Sequence, residues 1–355
     1  MIKLNQKTSN VNHSKFSKSL LDWYDINARN LPWRIPPEST KEGITNDPYK
    51  IWVSEIMLQQ TQVVTVIPYY ERFMSSFPTV RDLAEAAQDV VMEHWAGLGY
   101  YSRARNLHQT ATIITDKYHQ VFPDNYEDLV ALPGIGESTA GAILALAFNK
   151  KGTILDGNVK RVVSRYLNVE NNPRELKKSI KPFLYQNSPK TNYRSFGQGM
   201  MDLGSLICVK EKPKCDLCPI QKTCLSFKKQ DFIKTKKNTI TKTQESFHWF
   251  IYQKNNKVML CKNPDEGIWP NLWVFPKREL FQTKQNINEL PSFKHSLSHK
   301  DFHISPRIIN IPDDMETDDE KTIWIEKNKI AKLGAPKPVL DIVKKILNQN
   351  DKGLL

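Results

Sequence analysis

The 355-residue chain has no run of about 20 apolar residues, which argues against a membrane-spanning helix. Its first stretch, Met1 to Phe16, is polar and has no apolar signal core, so a cytoplasmic location is expected. Cysteine is scarce: five in all, four of them between Cys208 and Cys224 and the fifth at Cys261. An odd, tightly clustered set without a secretion signal argues against a disulfide framework and for metal. No repeat of fixed period occurs, and strand-like alternation is nearly absent before Cys224.

What remains is long enough for two or three domains. Hydrophobic residues make up 39%, including eight Trp, so real cores can be buried. Lys plus Arg is 51 against 38 for Asp plus Glu, a net charge of +13 that suits a polyanion partner as well as a merely basic surface. Helical spacing recurs at Phe16, Leu20, Leu21 and Tyr24, at Leu107, Ala111 and Ile114, and at Ile143, Leu144, Ala147 and Phe148. Residues 1–228 therefore read as one mainly helical domain. Residues 229–244 are lysine-rich with few apolar side chains and read as a linker. In 245–350, Phe247, Trp249 and Ile251 alternate, an Asn-Asn turn precedes Val258 and Leu260, and a helix follows Pro338, giving a smaller α+β domain.

Five motifs carry chemistry. The spacing Cys208-x6-Cys215-x2-Cys218-x5-Cys224 allows four thiolates to wrap one iron–sulfur cubane or to ligate zinc; with only one C-x2-C knuckle present, the cubane is favoured. Interleaved Lys210, Lys212, Lys214 and Lys222 would offer charge to a phosphate backbone. The run Leu132-Pro133-Gly134-Ile135-Gly136 sits between helical segments and leaves N–H groups bare at a helix start, an anion site or simply a tight turn. Glu55 lies in an almost continuous apolar run. Burial would raise its pKa and keep it protonated, as a general acid requires, unless it faces solvent or pairs with an Arg. Asp156 precedes a helix, where an N-cap carboxylate is held as the anion; the two would form a raised-pKa and low-pKa pair suited to sugar-bond cleavage. In Gly97 to Asn106 a glycine-rich turn presents Tyr100 and Tyr101 ahead of Arg103 and Arg105, which suits an aromatic wedge with phosphate-binding arginines, or core tyrosines.

In this order the motifs resemble the helix-hairpin-helix DNA glycosylases that carry a [4Fe–4S] cluster, and within them the MutY-type adenine DNA glycosylases. The matching residues are Leu31-Pro32-Trp33-Arg34, Asp47 to Lys50, Ser54 to Gln62, Gly97 to Asn106, Leu132 to Ile143, Leu155 to Val162 and Met201 to Gly204 leading into the cysteines. The resemblance implies a mainly α helix-hairpin-helix glycosylase domain with a [4Fe–4S] loop on Cys208, Cys215, Cys218 and Cys224, followed by a C-terminal α+β Nudix-like domain. It implies a nucleoid-associated monomer acting on double-stranded DNA with adenine opposite 8-oxoguanine or guanine, and no membrane partner. It also implies roles. Glu55 would protonate the leaving adenine and assist water, and Asp156 with Asn158 would stabilise or capture the sugar cation. Leu31, Trp33, Arg34 and Gln198 would line the adenine pocket. Gln60, Thr61 and Tyr100 would meet the orphaned base, and Gly134, Gly136 and Ser138 belong to the DNA-binding hairpin and its start. In the C-terminal domain, Gly267 to Pro276 fits the family's Gly…Leu-Trp…Phe-Pro stretch, and Ser298 and His299 fit the loop that reads the oxidised base. Leu297 stands where the family usually carries Phe, and Glu38 to Asn46 looks like an extra loop.

Two rivals remain. An endonuclease III-type glycosylase/lyase needs a Lys just after the hairpin to form a Schiff base, and Ser138 stands there instead. A non-catalytic DNA-binding module would need neither Glu55 nor Asp156. No Nudix hydrolase helix with clustered glutamates is present, so the C-terminal domain is expected to bind rather than hydrolyse.

Overall fold

The computed structural model describes residues 13–38, 46–231, 241–281, 287–297, 299–313, 315 and 321–350. Most of the Glu38 to Asn46 loop, most of the lysine-rich linker and Ser298 lie outside the described residues. The chain separates into two compact units. One comprises Met1–Glu85 and Asn106–Lys236, the other Ala86–Arg105 and Lys237–Leu355.

The first unit is helical. Helix Glu137–Leu146 is apolar almost all round, with Ala140 to Leu146 buried, and it packs on helices Pro48–Leu58 and Tyr193–Asp202. A helix with no polar stripe has to lie at the centre of its layer. Helix His13–Asn27 packs in turn on Tyr193–Asp202, burying Leu20 and Tyr24. Helix Pro48–Leu58 starts sharply because the Asp47 side chain accepts the Tyr49 N–H at 2.9 Å and Pro48 presets the first turn. The short helix Tyr126–Val130 leads through Leu132 to Gly136 into Glu137–Leu146, which is the hairpin expected from the sequence. Gly134 has φ +76°, and a Cβ there would stand 2.8 Å from that of Asn106, so the turn requires glycine. Gly136 caps the second helix with no side-chain acceptor, leaving its first N–H groups open.

The second unit holds a seven-stranded sheet: β1 (Thr243–Lys254), β2 (Lys257–Lys262), β3 (Trp273–Val274), β4 (Ile287–Glu289), β5 (Phe293–Ser296), β6 (Lys300–Asn310) and β7 (Thr322–Glu326). Its spine runs β3-β2-β1-β6-β4, with β5 on β6 and β7 on β2. β1 and β6 are parallel, and the other pairings are antiparallel. The Asn255-Asn256 turn joins β1 and β2 with Gln253 opposite Val258, and Asn255 takes the left-handed conformation (φ +49°) that Asn tolerates. Both sheet faces are covered. Trp249 and Ile251 face a core shared with Val339, Ile342, Val343 and Ile346 of the helix Lys337–Asn350. Phe250 and Tyr252 face a second cluster with Phe281 and Ile311.

Candidate active site

One cleft in the helical unit, of about 1220 Å³, gathers most of the residues singled out above: Leu31, Trp33, Arg34, Glu55, Gln60, Thr61, Ser138, Asp156 and Asn158. It exceeds the roughly 300–1,000 Å³ of an ordinary small-molecule pocket. Lys160 and Lys210 also line it and supply positive charge. The two carboxylates, far apart in sequence, thus line one cleft.

Glu55 is the only acidic residue of its helix, among buried Ile51, Trp52, Val53, Ile56 and Met57. Burial, and next the charge of Asp156, push its carboxyl up to about 7, while Arg34 pulls the other way. A carboxyl at that value keeps much of its proton near neutral pH.

Asp156 is the N-cap of helix Gly157–Leu167. It accepts the Val159 N–H at 2.6 Å and the Asn158 side-chain amide at 3.2 Å. The low-pKa expectation needs correction here. Burial outweighs these donors and Arg161, and the carboxyl lies above its ordinary value. The charge of Asp156 adds to the rise at Glu55, so protonation of one bears on the other. The cap donors on Asp156 favour keeping the negative charge on that member.

The segment carrying Asp156 is tied to the hairpin, since Ser138 Oγ accepts the Leu155 N–H at 2.9 Å. Asn158 is held by Arg161, whose Nη2 donates to Asn158 Oδ1 at 2.8 Å and to Gly204 O at 2.7 Å and whose Nε donates to Cys208 O at 2.8 Å. A Cβ at Gly204 would lie 2.6 Å from that of Asn158, so only glycine admits this approach.

A network that motif reading passed over lies behind two cleft-lining arginines, Arg29 and Arg34. Asp202 is fully buried and accepts Arg34 Nη1 and Nη2 at 2.8 and 3.0 Å and Arg29 Nε at 2.7 Å. Burial pushes its carboxyl up, but the two guanidiniums outweigh that and hold it below the usual range. The sequence signals were an Asp at an otherwise apolar helix end and its place in the matching run Met201 to Gly204.

Other expectations fall elsewhere. Gln198 is buried outside the cleft lining, where its Oε1 accepts the Tyr24 hydroxyl and its amide nitrogen has no partner among the described residues. Gly134 and Gly136 form the hairpin and do not line the cleft. Tyr100 belongs to the second unit and is 49% exposed. Arg103, read as a phosphate ligand, is instead buried. Its Nη2 donates to Gly99 O at 3.1 Å, and it stacks over Trp95 and Tyr100. Arg105 donates to Pro270 O at 3.0 Å. His299 is exposed, and Leu297 packs against the sheet core in a partly buried position.

Cys208, Cys215, Cys218 and Cys224 line a separate cavity of about 30 Å³ with Ile207, Ile220 and Tyr166. Arg165 donates to Cys208 Sγ at 3.5 Å and to Val209 O at 2.6 Å, fixing the start of the loop. Among the described residues, no three Cys, His, Asp or Glu side chains converge as a single metal ion requires. No described helix is long and apolar enough to cross a membrane.

A family model described as HhH-GPD superfamily base excision DNA repair protein matches residues 53–184, and one described as NUDIX domain matches residues 248–345. The chain is 40% identical over 354 residues to a protein named adenine DNA glycosylase from Buchnera aphidicola subsp. Baizongia pistaciae (strain Bp), covering 94% of this chain and 97% of that one. A solved thermostable thymine-DNA glycosylase superposes with a TM-score of 0.55 at 28% identity, covering 61% of this chain and 97% of its own. A trapped endonuclease III–DNA covalent intermediate superposes at 0.51 with 20% identity, covering 62% and 99%, and shows the fold alone.

Proposed function

Because the chain belongs to the adenine DNA glycosylases of the helix-hairpin-helix base excision repair superfamily, we propose that it turns adenine mispaired with 8-oxoguanine, or with guanine, out of duplex DNA and hydrolyses its N-glycosidic bond. The observation that carries this reading is the pairing of Glu55 and Asp156 in one cleft, with the Glu55 carboxyl raised to about 7.

Glu55 donates its proton to the departing adenine, the bond between sugar C1′ and the base breaks, and its electron pair leaves with the base. Asp156, oriented by the Asn158 amide and the Val159 N–H, faces the positive charge that develops on the sugar or captures it. Water then completes the sugar, its proton passing to the Glu55 carboxylate, which restores the starting state. Leu31, Trp33 and Arg34 form the base pocket. Ser138, engaged by the Leu155 N–H, replaces the amine a lyase would use, which supports a monofunctional enzyme.

The four cysteines suit a [4Fe–4S] cluster. They line one cavity larger than the roughly 10–15 Å³ of a single water site, and their spacing holds only one C-x2-C knuckle. When bound, the cluster would brace the loop whose Cys208 carbonyl holds Arg161 and hence Asn158. The open N–H groups after Gly136 and the cleft lysines suit phosphates. Gln60, Thr61 and Tyr100, together with Ser298 and His299, are assigned to the base opposite the adenine. The working form is a monomer.

Single-turnover adenine release from duplexes with 8-oxoguanine, guanine or thymine opposite the adenine tests this reading. Release should be fastest opposite 8-oxoguanine and slowest opposite thymine. Equal rates on all three would contradict the proposed specificity.

A further inference from the structure

The turn bearing Tyr100 is built against the grain of the backbone. Gly97, Gly99 and Tyr100 have φ of +92°, +77° and +50°, the last at a residue that disfavours it. Such a conformation persists only where its surroundings over-determine it. Part of the restraint is local. Trp95 Nε1 and Arg103 Nη2 each donate to Gly99 O at 3.1 Å, and the Arg103 guanidinium lies 5.6 Å from the centre of the Tyr100 ring.

The rest comes from the C-terminal part of the same unit. The buried Tyr101 hydroxyl accepts the Gly97 N–H at 3.2 Å and donates to Ala335 O at 2.7 Å, joining the first residue of the turn to a segment more than two hundred residues away. Arg105 donates to Pro270 O at 3.0 Å, and Lys262 pairs with Asp89 at 3.1 Å. The segment they reach is itself rigid. Asn263 Nδ2 donates to Ile268 O and Trp269 O at 3.0 and 3.2 Å, and the Trp273 N–H donates to Gly334 O at 3.0 Å. Trp269 then lies 5.6 Å from the ring of His295, in β5.

We infer that Tyr101 and Arg105 are positioning residues that lock the Tyr100 turn to the Gly267–Leu272 and Gly334–Ala335 segments. The exposed tyrosine and β5, which carries His295, then form one body beside the base opposite the adenine. This rests on the proposed reading of Tyr100 and His299 as groups that face that base. It adds that the C-terminal part sets specificity through the wedge as well as by its own contacts. The warrant is a continuous run of hydrogen bonds and ring contacts within one compact unit.

The test uses the full chain and duplexes carrying an uncleavable adenine analogue, with 2-aminopurine beside the opposite base to report stacking. Tyr101→Phe keeps the ring and removes both hydrogen bonds. Arg105→Met removes the second tie without touching the Tyr101 ring. Each variant should lower the affinity ratio for 8-oxoguanine over guanine about fivefold or more and weaken 2-aminopurine quenching. Adenine release at saturating enzyme should fall several times less than the affinity ratio does. Hydrogen exchange should quicken both in peptides spanning residues 97–102 and in those spanning 331–335. Should Tyr101→Phe fail to fold, Arg105→Met carries the test alone. Wild-type ratio and quenching in the folded variants would overturn the inference, as would a loss confined to the excision step. If the wild-type enzyme itself shows no preference for 8-oxoguanine, the functional reading fails instead, and the exchange measurement still decides whether the tie exists.

Discussion

Arg34 places both terminal nitrogens of its guanidinium on the Asp202 carboxylate, at 2.8 and 3.0 Å, with the acid fully buried and Arg29 on its other side. The fork leaves Arg34 at the cleft wall with its plane fixed, close enough to Glu55 to oppose the rise in that carboxyl's pKa. Removing one partner of a buried pair strands the other charges and costs roughly 3–5 kcal/mol. Asp202→Asn is therefore expected to lower the melting temperature by roughly 10 °C, at about 2–4 °C per kcal/mol for a unit of this size. It should also raise KM for the mispair more than it lowers kcat. Melting within about 2 °C of wild type would show that the network carries little.

Glu55 sets a pH dependence of stability. Its folded value, about 7, lies above the ordinary value of 4.5. Between those values the folded chain holds a proton that the unfolded chain has released, so stability falls as pH rises through this window and levels off above it. Glu55→Gln removes the liability. Its advantage in chemical denaturation should grow from near zero at pH 4.5 to on the order of 1–3 kcal/mol at pH 8. An advantage that does not change with pH would place the carboxyl in water.

The cysteine cavity makes a compositional prediction. Protein purified without oxygen should be yellow-brown and contain iron, and removal of the cluster should release the Arg161 tether and slow excision while leaving the helical core folded. Stoichiometric zinc without iron would contradict the cluster.

Ser138 predicts the product. Adenine should be released with the strand left intact until hot alkali cuts it, and borohydride should trap little covalent protein–DNA adduct. Efficient trapping would identify another amine as nucleophile and move the chain toward the lyases.

Much of this was legible in the sequence because the chemistry is concentrated in short runs. Glu55 stands alone in an apolar helix, Gly134 and Gly136 flag the hairpin, and the cysteine spacing marks a loop whose four cysteines line one cavity. The seven-stranded sheet was visible only as alternation at Phe247, Trp249 and Ile251, because beyond Trp249 both faces are buried and the period-2 signal fades. The low-pKa expectation for Asp156 failed because an N-cap shows in sequence while the desolvation around it does not. The Arg34–Asp202 fork and the Arg161 tether were hidden for a related reason, since both join residues separated by long stretches of chain. The grouping of Ala86–Arg105 with the C-terminal part was equally hidden. A cut after Lys242 would bare Tyr101 and remove the Ala335 carbonyl it bonds.

The pH dependence of single-turnover adenine release from an adenine–8-oxoguanine duplex, wild type beside Glu55→Gln, bears most directly on the chemistry. With protonated Glu55 as the proposed acid, the wild-type rate should fall as pH rises through about 7. The variant should bind the duplex, lose on the order of 10²–10⁴ in rate, and show no such inflection. A variant that releases adenine at near wild-type rate with the same pH profile would place the acid elsewhere and contradict the account.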